Sequence, residues 1–206
     1  DDANACTADT CNPATGCAHS TIVCNDGNAC TADTCNPATG CVYTSINDAS
    51  VDHVIALGAL PRDLVGPQVY QAVVTNRGGG VLNNLPVTLD ITGANTFTDT
   101  QTVATLAACG GQAVVTFAAA PVGVLGADTV TASVPPDDAN ANNSRSRPLG
   151  ITLDRYSFKH PGTAPAGGGG FSGQAGALVA KFTVTAATSV TAATLEFFIA
   201  SATTYR

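Results

Sequence analysis

A cysteine-bearing sequence occurs twice within the first 41 residues, with a period of 24 residues. The stretch from Asp2 to Cys17 recurs almost letter for letter between Asp26 and Cys41. Neither copy contains enough large apolar side chains to offset the conformational entropy that folding costs. Each copy must therefore be held by covalent cross-links, and one native disulfide in a small domain is worth about 2–5 kcal/mol.

Seven of the eight cysteines lie in this region at regular intervals, which is typical of a disulfide framework formed in an oxidising compartment. We expect the repeats to be fully oxidised. Seven cysteines leave one over, because the first copy lacks a counterpart of Cys24. Cys109 either pairs with that remaining cysteine, within or between chains, or stays a buried thiol. The candidate disulfide cysteines are Cys6, Cys11, Cys17, Cys24, Cys30, Cys35, Cys41 and Cys109.

Oxygen-bearing side chains recur at the same places in both copies, and they have two interpretations. Alternate oxygen donors around a turn are the arrangement that Ca²⁺ prefers, whereas Asp and Asn also cap turns through side-chain-to-backbone hydrogen bonds. No other cofactor is expected, and zinc is disfavoured because Cys-x-x-Cys spacing does not occur. The candidate calcium ligands are Asp2, Asn4, Asp9, Asp26, Asn28 and Asp33.

After Ile46 the sequence changes to short alternating strands rich in Ala, Val and Thr, and helix-forming residues are scarce. Seven strands are expected between residues 47 and 153, which favours a Greek-key β-sandwich. The oxygen-rich stretch from Asp137 to Asn143 is expected to be a solvated hairpin. The predicted class is all-β. The predicted strands are 51–57, 70–74, 87–91, 97–106, 113–117, 130–134 and 145–153.

The third segment, residues 154–206, begins with a Pro/Gly-rich connection and continues with two strands within residues 175–201. Two strands with one apolar face are not stable alone. Either the rest of the domain lies outside this sequence, or a neighbouring chain completes it. The second alternative predicts a head-to-tail homopolymer built through added strands.

Charge and residue types exclude several classes of function. The net charge of −7 disfavours nucleic acid as a partner. No run of eighteen apolar residues occurs, so no membrane span is expected. His19, His53 and His160 have no partner that the sequence identifies, and Cys109 lacks a Cys-His signature. We therefore predict that the protein is not an enzyme.

Two resemblances to known families accompany these features. The unit Cys24-Asn-Asp-Gly-Asn-Ala-Cys-Thr-Ala-Asp-Thr-Cys followed by Asn-Pro-Ala-Thr-Gly-Cys41 resembles cysteine-rich repeats of slime-mould matrix proteins and of large bacterial secreted proteins, over residues 1–46. Four stretches are similar to the cell-adhesion-related bacterial (CARDB-like) Ig-like domain: Val73-Val-Thr-Asn-Arg-Gly-Gly79, Leu85-Pro-Val-Thr-Leu89, the Ala107-Ala-Cys-Gly-Gly turn and Asp137-Asp-Ala-Asn-Ala-Asn-Asn-Ser144. This second resemblance covers residues from about 50 to 153 and implies an Ig-like sandwich in a surface protein.

The expected function is that of an extracellular or cell-surface structural protein of bacterial origin, a subunit of a filament or matrix that assembles with itself. The alternative is an adhesin, or a binding module of a larger secreted protein, that recognises other surface proteins or glycans. With no Trp and four Tyr, the chain is poorly supplied with the aromatic residues that binding surfaces favour.

Overall fold

The computed structural model describes residues 1–157, and apart from two short 3-10 turns its regular structure is all β-strand. The predicted all-β class is confirmed. The expectation for residues 175–201 lies outside the described residues. None of the helical turns in the described part is long and apolar enough to cross a membrane.

In chain order the strands are β1 (Thr7–Asn12), β2 (Gly16–Thr21), β3 (Thr31–Asn36), β4 (Gly40–Ser45), β5 (Ala49–Ile55), β6 (Ala59–Pro61), β7 (Gln71–Asn76), β8 (Leu82–Gly93), β9 (Phe97–Leu106), β10 (Gly111–Thr116), β11 (Gly126–Ser133) and β12 (Ser144–Thr152), with 3-10 turns at Arg62–Leu64 and Asn140–Asn142.

Each N-terminal copy folds as an antiparallel hairpin, β1 with β2 and β3 with β4. The Asn-Pro-Ala-Thr-Gly stretch forms the turn in both. Asn12 Oδ1 accepts a hydrogen bond from the Ala14 N–H at 2.8 Å, and Gly16 has a φ of 90°. Gly40 repeats this left-handed conformation with a φ of 84°. The sequence predicted these turns because asparagine bonds its own backbone two residues on and glycine adopts positive φ without a steric penalty.

The remaining strands form two sheets, one of three strands in the order β10-β7-β5 and one of five in the order β6-β12-β11-β8-β9. All seven predicted strands are present as β5 and β7 to β12. Sequence reasoning missed β6, which spans only Ala59–Pro61 and pairs in parallel with the end of β12. Three buried residues cannot show the two-residue alternation by which strands are recognised.

The core lies between these two sheets and consists of the side chains that the alternation placed inward. On β8, Val87, Leu89 and Ile91 are at most 4% exposed. Tyr70 and Ala72 contribute from the facing sheet and are likewise buried. At the edge of the larger sheet, β9 alternates exposed and half-buried residues, and of its ten residues only Leu106 is buried. The sandwich is therefore the part of the described chain that has a conventional apolar core.

Candidate functional site: the cross-linked repeats and their junction with the sandwich

The described residues contain three disulfides, and two of them connect modules. Cys6–Cys35 joins the two N-terminal copies, with a sequence separation of 29 residues. Cys24–Cys41 closes 17 residues around the second copy. Cys30–Cys109 joins the second copy to the sandwich across 79 residues. Cys109 thus pairs with a repeat cysteine of its own chain, which was one of the alternatives left open by the sequence.

The structure departs from the expectation of full oxidation at Cys11 and Cys17, which are not disulfide-bonded. They face each other across the first hairpin, with their Sγ atoms 2.7 Å apart. The contact with Cys11 is the main cause that raises the pKa of Cys17, with smaller contributions from desolvation and from the charge of Asp9.

The pairing follows one rule in both copies. Cys6 and Cys30 occupy the same position, directly before the first strand of their hairpins. Each bonds forward to the following module, Cys6 to Cys35 and Cys30 to Cys109. Cys109 therefore takes in the sandwich the place that Cys35 takes in the second copy, and the sandwich is joined to the array as if it were a further repeat.

Backbone hydrogen bonds hold the short link between the array and the sandwich. The Gly79 N–H donates to the Ile46 carbonyl at 3.0 Å, and the Arg77 and Gly78 N–H groups donate to the Asp48 carbonyl at 2.8 and 3.1 Å. A Cβ on Gly78 would lie 2.5 Å from the Ile46 carbonyl oxygen, closer than any unstrained contact. Only glycine permits this approach, so the Gly-rich turn after β7 is a docking surface for the repeats.

The Asp137 to Asn143 loop contacts the same link from another side. Asp138 Oδ2 accepts the Asn47 N–H at 2.8 Å, and Asp137 Oδ2 accepts the Ala49 N–H at 2.7 Å. Asn142 Nδ2 donates to an Asp48 carboxylate oxygen at 2.9 Å. The expected hairpin is present, since the loop joins the antiparallel strands β11 and β12 and the Ala139 N–H donates to Asp137 Oδ1 within it. The loop is not only solvated, because its side chains also bond a segment about ninety residues earlier in the chain.

A polar cluster follows at the start of the smaller sheet. The pairing of β5 with β7 shifts register between Val51 and His53, which leaves Asp52 out of the ladder. Its carboxylate accepts hydrogen bonds from Thr75 Oγ1 at 2.6 Å, from Arg77 Nη2 at 2.8 Å and from Ser50 Oγ at 3.0 Å. Burial acts to raise the pKa of Asp52, but these three hydrogen bonds outweigh it and the pKa is lowered.

The candidate calcium ligands lie together in each copy, where their oxygens accept hydrogen bonds from the local backbone. Asp2 Oδ1 accepts the Asn4 N–H at 3.0 Å, Asn4 Oδ1 accepts the Cys6 N–H at 3.0 Å, and Asp9 Oδ2 accepts the Asp2 N–H at 2.9 Å. The second copy repeats this pattern, with Asp33 accepting from Asp26, Asp26 from Asn28 and Asn28 from Cys30. These contacts are those of the turn-capping interpretation, and calcium binding stays a prediction.

His19 belongs to the first of these clusters, although sequence reasoning gave it no partner. Its Nδ1 lies 2.6 Å from Asp9 Oδ1 and 3.6 Å from Asp2 Oδ2. The hydrogen bond with His19, followed by that from the Asp2 backbone, lowers the pKa of Asp9. This pairing could have been found from the hairpin register. Cys11 lies opposite Cys17, so Asp9, two residues before Cys11, lies opposite His19, two residues after Cys17. Tyr43 takes the equivalent place opposite Asp33 in the second copy.

Comparison with known families identifies the repeats. Residues 1–22 and 23–46 each match the family described as the Dictyostelium (slime mold) repeat. The resemblance read from the cysteine spacing is therefore confirmed for this part of the chain. Comparison with curated proteins gives no match.

Three solved structures, two of them of a CARDB domain, are similar to this chain over about half of its length. The solution structure of the CARDB domain of the PF1109 protein of Pyrococcus furiosus is 17% identical over 54% of this chain and all of that one, with a TM-score of 0.44. Its crystal structure in complex with di-metal ions is 19% identical over 53% of this chain and 96% of that one, with a TM-score of 0.44. A putative cell surface protein domain of Methanosarcina acetivorans is 23% identical over 53% and 95%, with a TM-score of 0.41. Likeness at this level says nothing about activity or ligands.

Proposed function

We propose that this chain is an extracellular structural protein, a subunit of a surface filament or matrix, and that it has no enzymatic activity. The observation that supports this function best is the Cys30–Cys109 disulfide, which makes the sandwich continuous with the cross-linked repeats. Disulfides persist in oxidising compartments such as the cell exterior. Stable cross-links between successive modules suit a protein whose task is to keep its shape.

The junction supports the same role. The Gly79 N–H donates to the residues that connect the two modules, and the carboxylates of Asp137 and Asp138 accept from them. A force applied to the array would therefore reach the sandwich through a covalent bond and a set of short hydrogen bonds. Modules joined in this way act as stiff spacers, whereas modules joined by a flexible linker would not.

Electron microscopy of the oxidised full chain over a range of concentrations tests the proposal. We expect filaments or sheets that form without any other protein and that shorten or disperse after the disulfides are reduced. The same material incubated at low concentration, where self-assembly is disfavoured by mass action, is the control. Uniform single particles at every concentration would contradict the filament and matrix roles.

The alternative function, a binding module for glycans or proteins, is favoured by one observation on the sandwich. A groove beside β5 is lined by His53, Leu57 and Tyr70, and the apolar side chains of Ile55 and Val69 beside it are 48% and 57% exposed. Exposed apolar side chains around a groove are a feature of ligand sites. Ile55→Ser distinguishes the two functions, because it would abolish ligand capture by an adhesin and leave self-assembly unchanged.

A further inference from the structure

The disulfide that joins the two N-terminal copies lies beside the disulfide that closes the second copy. Cys6–Cys35 is the first of these bonds and Cys24–Cys41 is the second. The Sγ atoms of Cys24, Cys35 and Cys41 all lie within 4.8 Å of one another, close to the about 4.0–4.5 Å at which side chains are in contact. These three residues, the sulfur cluster, place one sulfur of the inter-copy bond next to both sulfurs of a second disulfide.

The register of the second hairpin brings two members of the sulfur cluster together. Cys35 and Cys41 lie directly opposite each other in the pairing of β3 with β4. Opposite residues of an antiparallel pair have Cα atoms about 4.5–5.5 Å apart, and disulfides form across Cα separations of about 4.4–6.8 Å. The hairpin can therefore hold a Cys35–Cys41 bond with its register unchanged.

The first hairpin shows the same approach of two cysteines across its strands. Its sequence from Cys6 to Cys17 is identical to the sequence from Cys30 to Cys41. The Sγ atoms of Cys11 and Cys17, which correspond to those of Cys35 and Cys41, lie 2.7 Å apart. The cross-strand approach is therefore a property of the hairpin sequence.

The third member of the sulfur cluster is held less firmly. Cys24 lies in the segment between β2 and β3 and belongs to no strand, whereas Cys35 and Cys41 are fixed by the β3–β4 ladder. A movement of Cys24 breaks no hydrogen bond of that ladder. Cys24 is therefore the sulfur that can leave its disulfide while the hairpin stays formed.

We propose that the sulfur cluster is an exchange site, at which the bond between the two copies can open while the second hairpin keeps a disulfide. Once Cys6 is removed from Cys35, the Cys35 thiolate attacks Cys41 Sγ, a cross-strand Cys35–Cys41 disulfide forms, and Cys24 leaves as a thiolate. The second copy has few large apolar side chains and depends on a disulfide, which it keeps throughout this exchange. The chemistry takes place within one chain and does not depend on the filament role.

A small monothiol is the co-reactant that opens the site. Its thiolate attacks Cys6 Sγ and forms a mixed disulfide there, and Cys35 is released as a thiolate. After Cys35 has attacked Cys41, the departing Cys24 thiolate takes up the proton that the monothiol lost. Two protein disulfides and one thiol thus become one protein disulfide, one mixed disulfide and the Cys24 thiol, without net oxidation or reduction.

The first test removes Cys6 and follows the thiol that remains. The full chain carries Cys6→Ser together with Cys11→Ser and Cys17→Ser, so that its five remaining cysteines form two disulfides and leave one thiol. The oxidised protein is incubated at mildly alkaline pH, where more of the thiol is present as thiolate. It is then quenched with acid, alkylated with a maleimide and mapped by mass spectrometry without reduction.

The position of the label decides the proposal. We expect roughly a tenth or more of the label at Cys24, which means that the two pairings lie within about 1.4 kcal/mol of each other. A matching amount of Cys35–Cys41 disulfide should accompany it. A smaller fraction of label at Cys24, or label at Cys41 in its place, would overturn the proposal.

Cys109→Ser, with Cys11→Ser and Cys17→Ser but with Cys6 retained, is the matched control. It also leaves one cysteine without its disulfide partner, Cys30, which is not a member of the sulfur cluster. The label should therefore stay on Cys30. Label that spreads from Cys30 to the sulfur cluster would show exchange throughout the array and would overturn the assignment of exchange to the cluster.

The unaltered protein provides a measurement that does not depend on the folding of a variant. Cys11 and Cys17, its free cysteines, are alkylated first, a small monothiol is added, and new thiols are trapped at intervals with a second label. We expect molecules that carry the monothiol on Cys6 to carry the second label at Cys24. Second label at Cys35 alone in these molecules would overturn the proposal. Self-assembly of the unaltered chain is measured separately and tests only the filament role.

Discussion

At the scale of single residues, aspartate and asparagine side chains replace the backbone partners that irregular segments lack. Asn4 and Asn28 accept the N–H groups of Cys6 and Cys30, which positions each cysteine for its bond to the next module. At the bulge of β5 the Asp52 carboxylate accepts instead from two side chains, Thr75 Oγ1 and Arg77 Nη2. The hydrogen bonds to the Asp52 carboxylate are charge-assisted and contribute more than the neutral ones to Asn4 and Asn28.

Asp52→Asn should lower the free energy of unfolding by about 1–3 kcal/mol at neutral pH, because the substitution weakens hydrogen bonds to a charged, largely buried group. The pKa of Asp52 is lowered in the folded state, so its stabilisation is present above the unfolded value of about 3.9 and is lost as the pH falls through the lower folded value. Urea unfolding at pH 7 and pH 3 measures the difference.

The control for this experiment is Asp63→Asn. Asp63 also pairs with an arginine, Arg62, but its side chain is 58% exposed, and exposed pairs contribute little. A gap between the Asp52 variant and the unaltered protein that is equally large at both pH values would contradict the role assigned to this carboxylate.

The calcium prediction is also tested through these residues. If Asp26, Asn28 and Asp33 hold Ca²⁺ as well as capping turns, a chelator should increase proteolytic cleavage within residues 1–46 and leave the sandwich intact. The disulfides limit the size of the effect, because they already constrain the unfolded chain. Identical cleavage with and without chelator would contradict calcium binding and leave turn capping as the role of these side chains.

At the scale of elements, the junction shows how a turn acquires a second role. The Gly-rich segment after β7 ends a strand, as its sequence indicates, and it also receives the link from the repeats. Gly78 lies against the Ile46 carbonyl and the Asp48 N–H, whereas Gly80 has no atom within 4 Å of its Cβ position. A side chain would therefore collide with the backbone at Gly78 and would meet no atom at Gly80.

Gly78→Ala should loosen the junction, since its methyl group would collide with backbone atoms that cannot move independently. We expect faster amide exchange at Arg77 and Gly79 and easier proteolysis near Asn47, with the core of the sandwich unchanged. Gly80→Ala is the matched control and should leave both measurements as they are. Equal behaviour of the two variants would mean that the close approach at Gly78 does not hold the link.

At the scale of the whole molecule, the cross-links run in one direction along the chain. Cys6 bonds into the second copy and Cys30 into the sandwich, so each module is joined to the one that follows. The sandwich has its own apolar core, whereas the repeats depend on these bonds. Loss of a disulfide should therefore lower the stability of the array more than that of the sandwich.

Cys109→Ser removes the only disulfide, among the described residues, between the array and the sandwich. Opening a loop of this length should reduce stability by about 4 kcal/mol through the entropy of the unfolded chain. Calorimetry of the oxidised protein should show the array unfolding separately from the sandwich, and alkylation should label Cys30. A single transition at the original temperature would show that the hydrogen bonds of the junction suffice.

Much of this architecture follows from local sequence. The 24-residue repetition, the Asn-Pro-Ala-Thr-Gly turns and the alternating strands predicted the hairpins' turns and seven of the eight strands from β5 to β12. These features depend on the conformational preferences of neighbouring residues and on which face of a strand is apolar. Both are properties that a sequence shows directly.

The partners of the cysteines and of the Asp137–Asp138 loop were decided by tertiary structure alone. Cysteines of equal spacing permit many pairings, and only the seating of the first copy on the second selects Cys6 for Cys35. Likewise, Asp137 and Asp138 meet Ala49 and Asn47 because the sandwich brings distant loops to one edge. The pairing of the cysteines depends on which segments lie against each other in the folded chain, and the spacing of cysteines along the sequence does not show this.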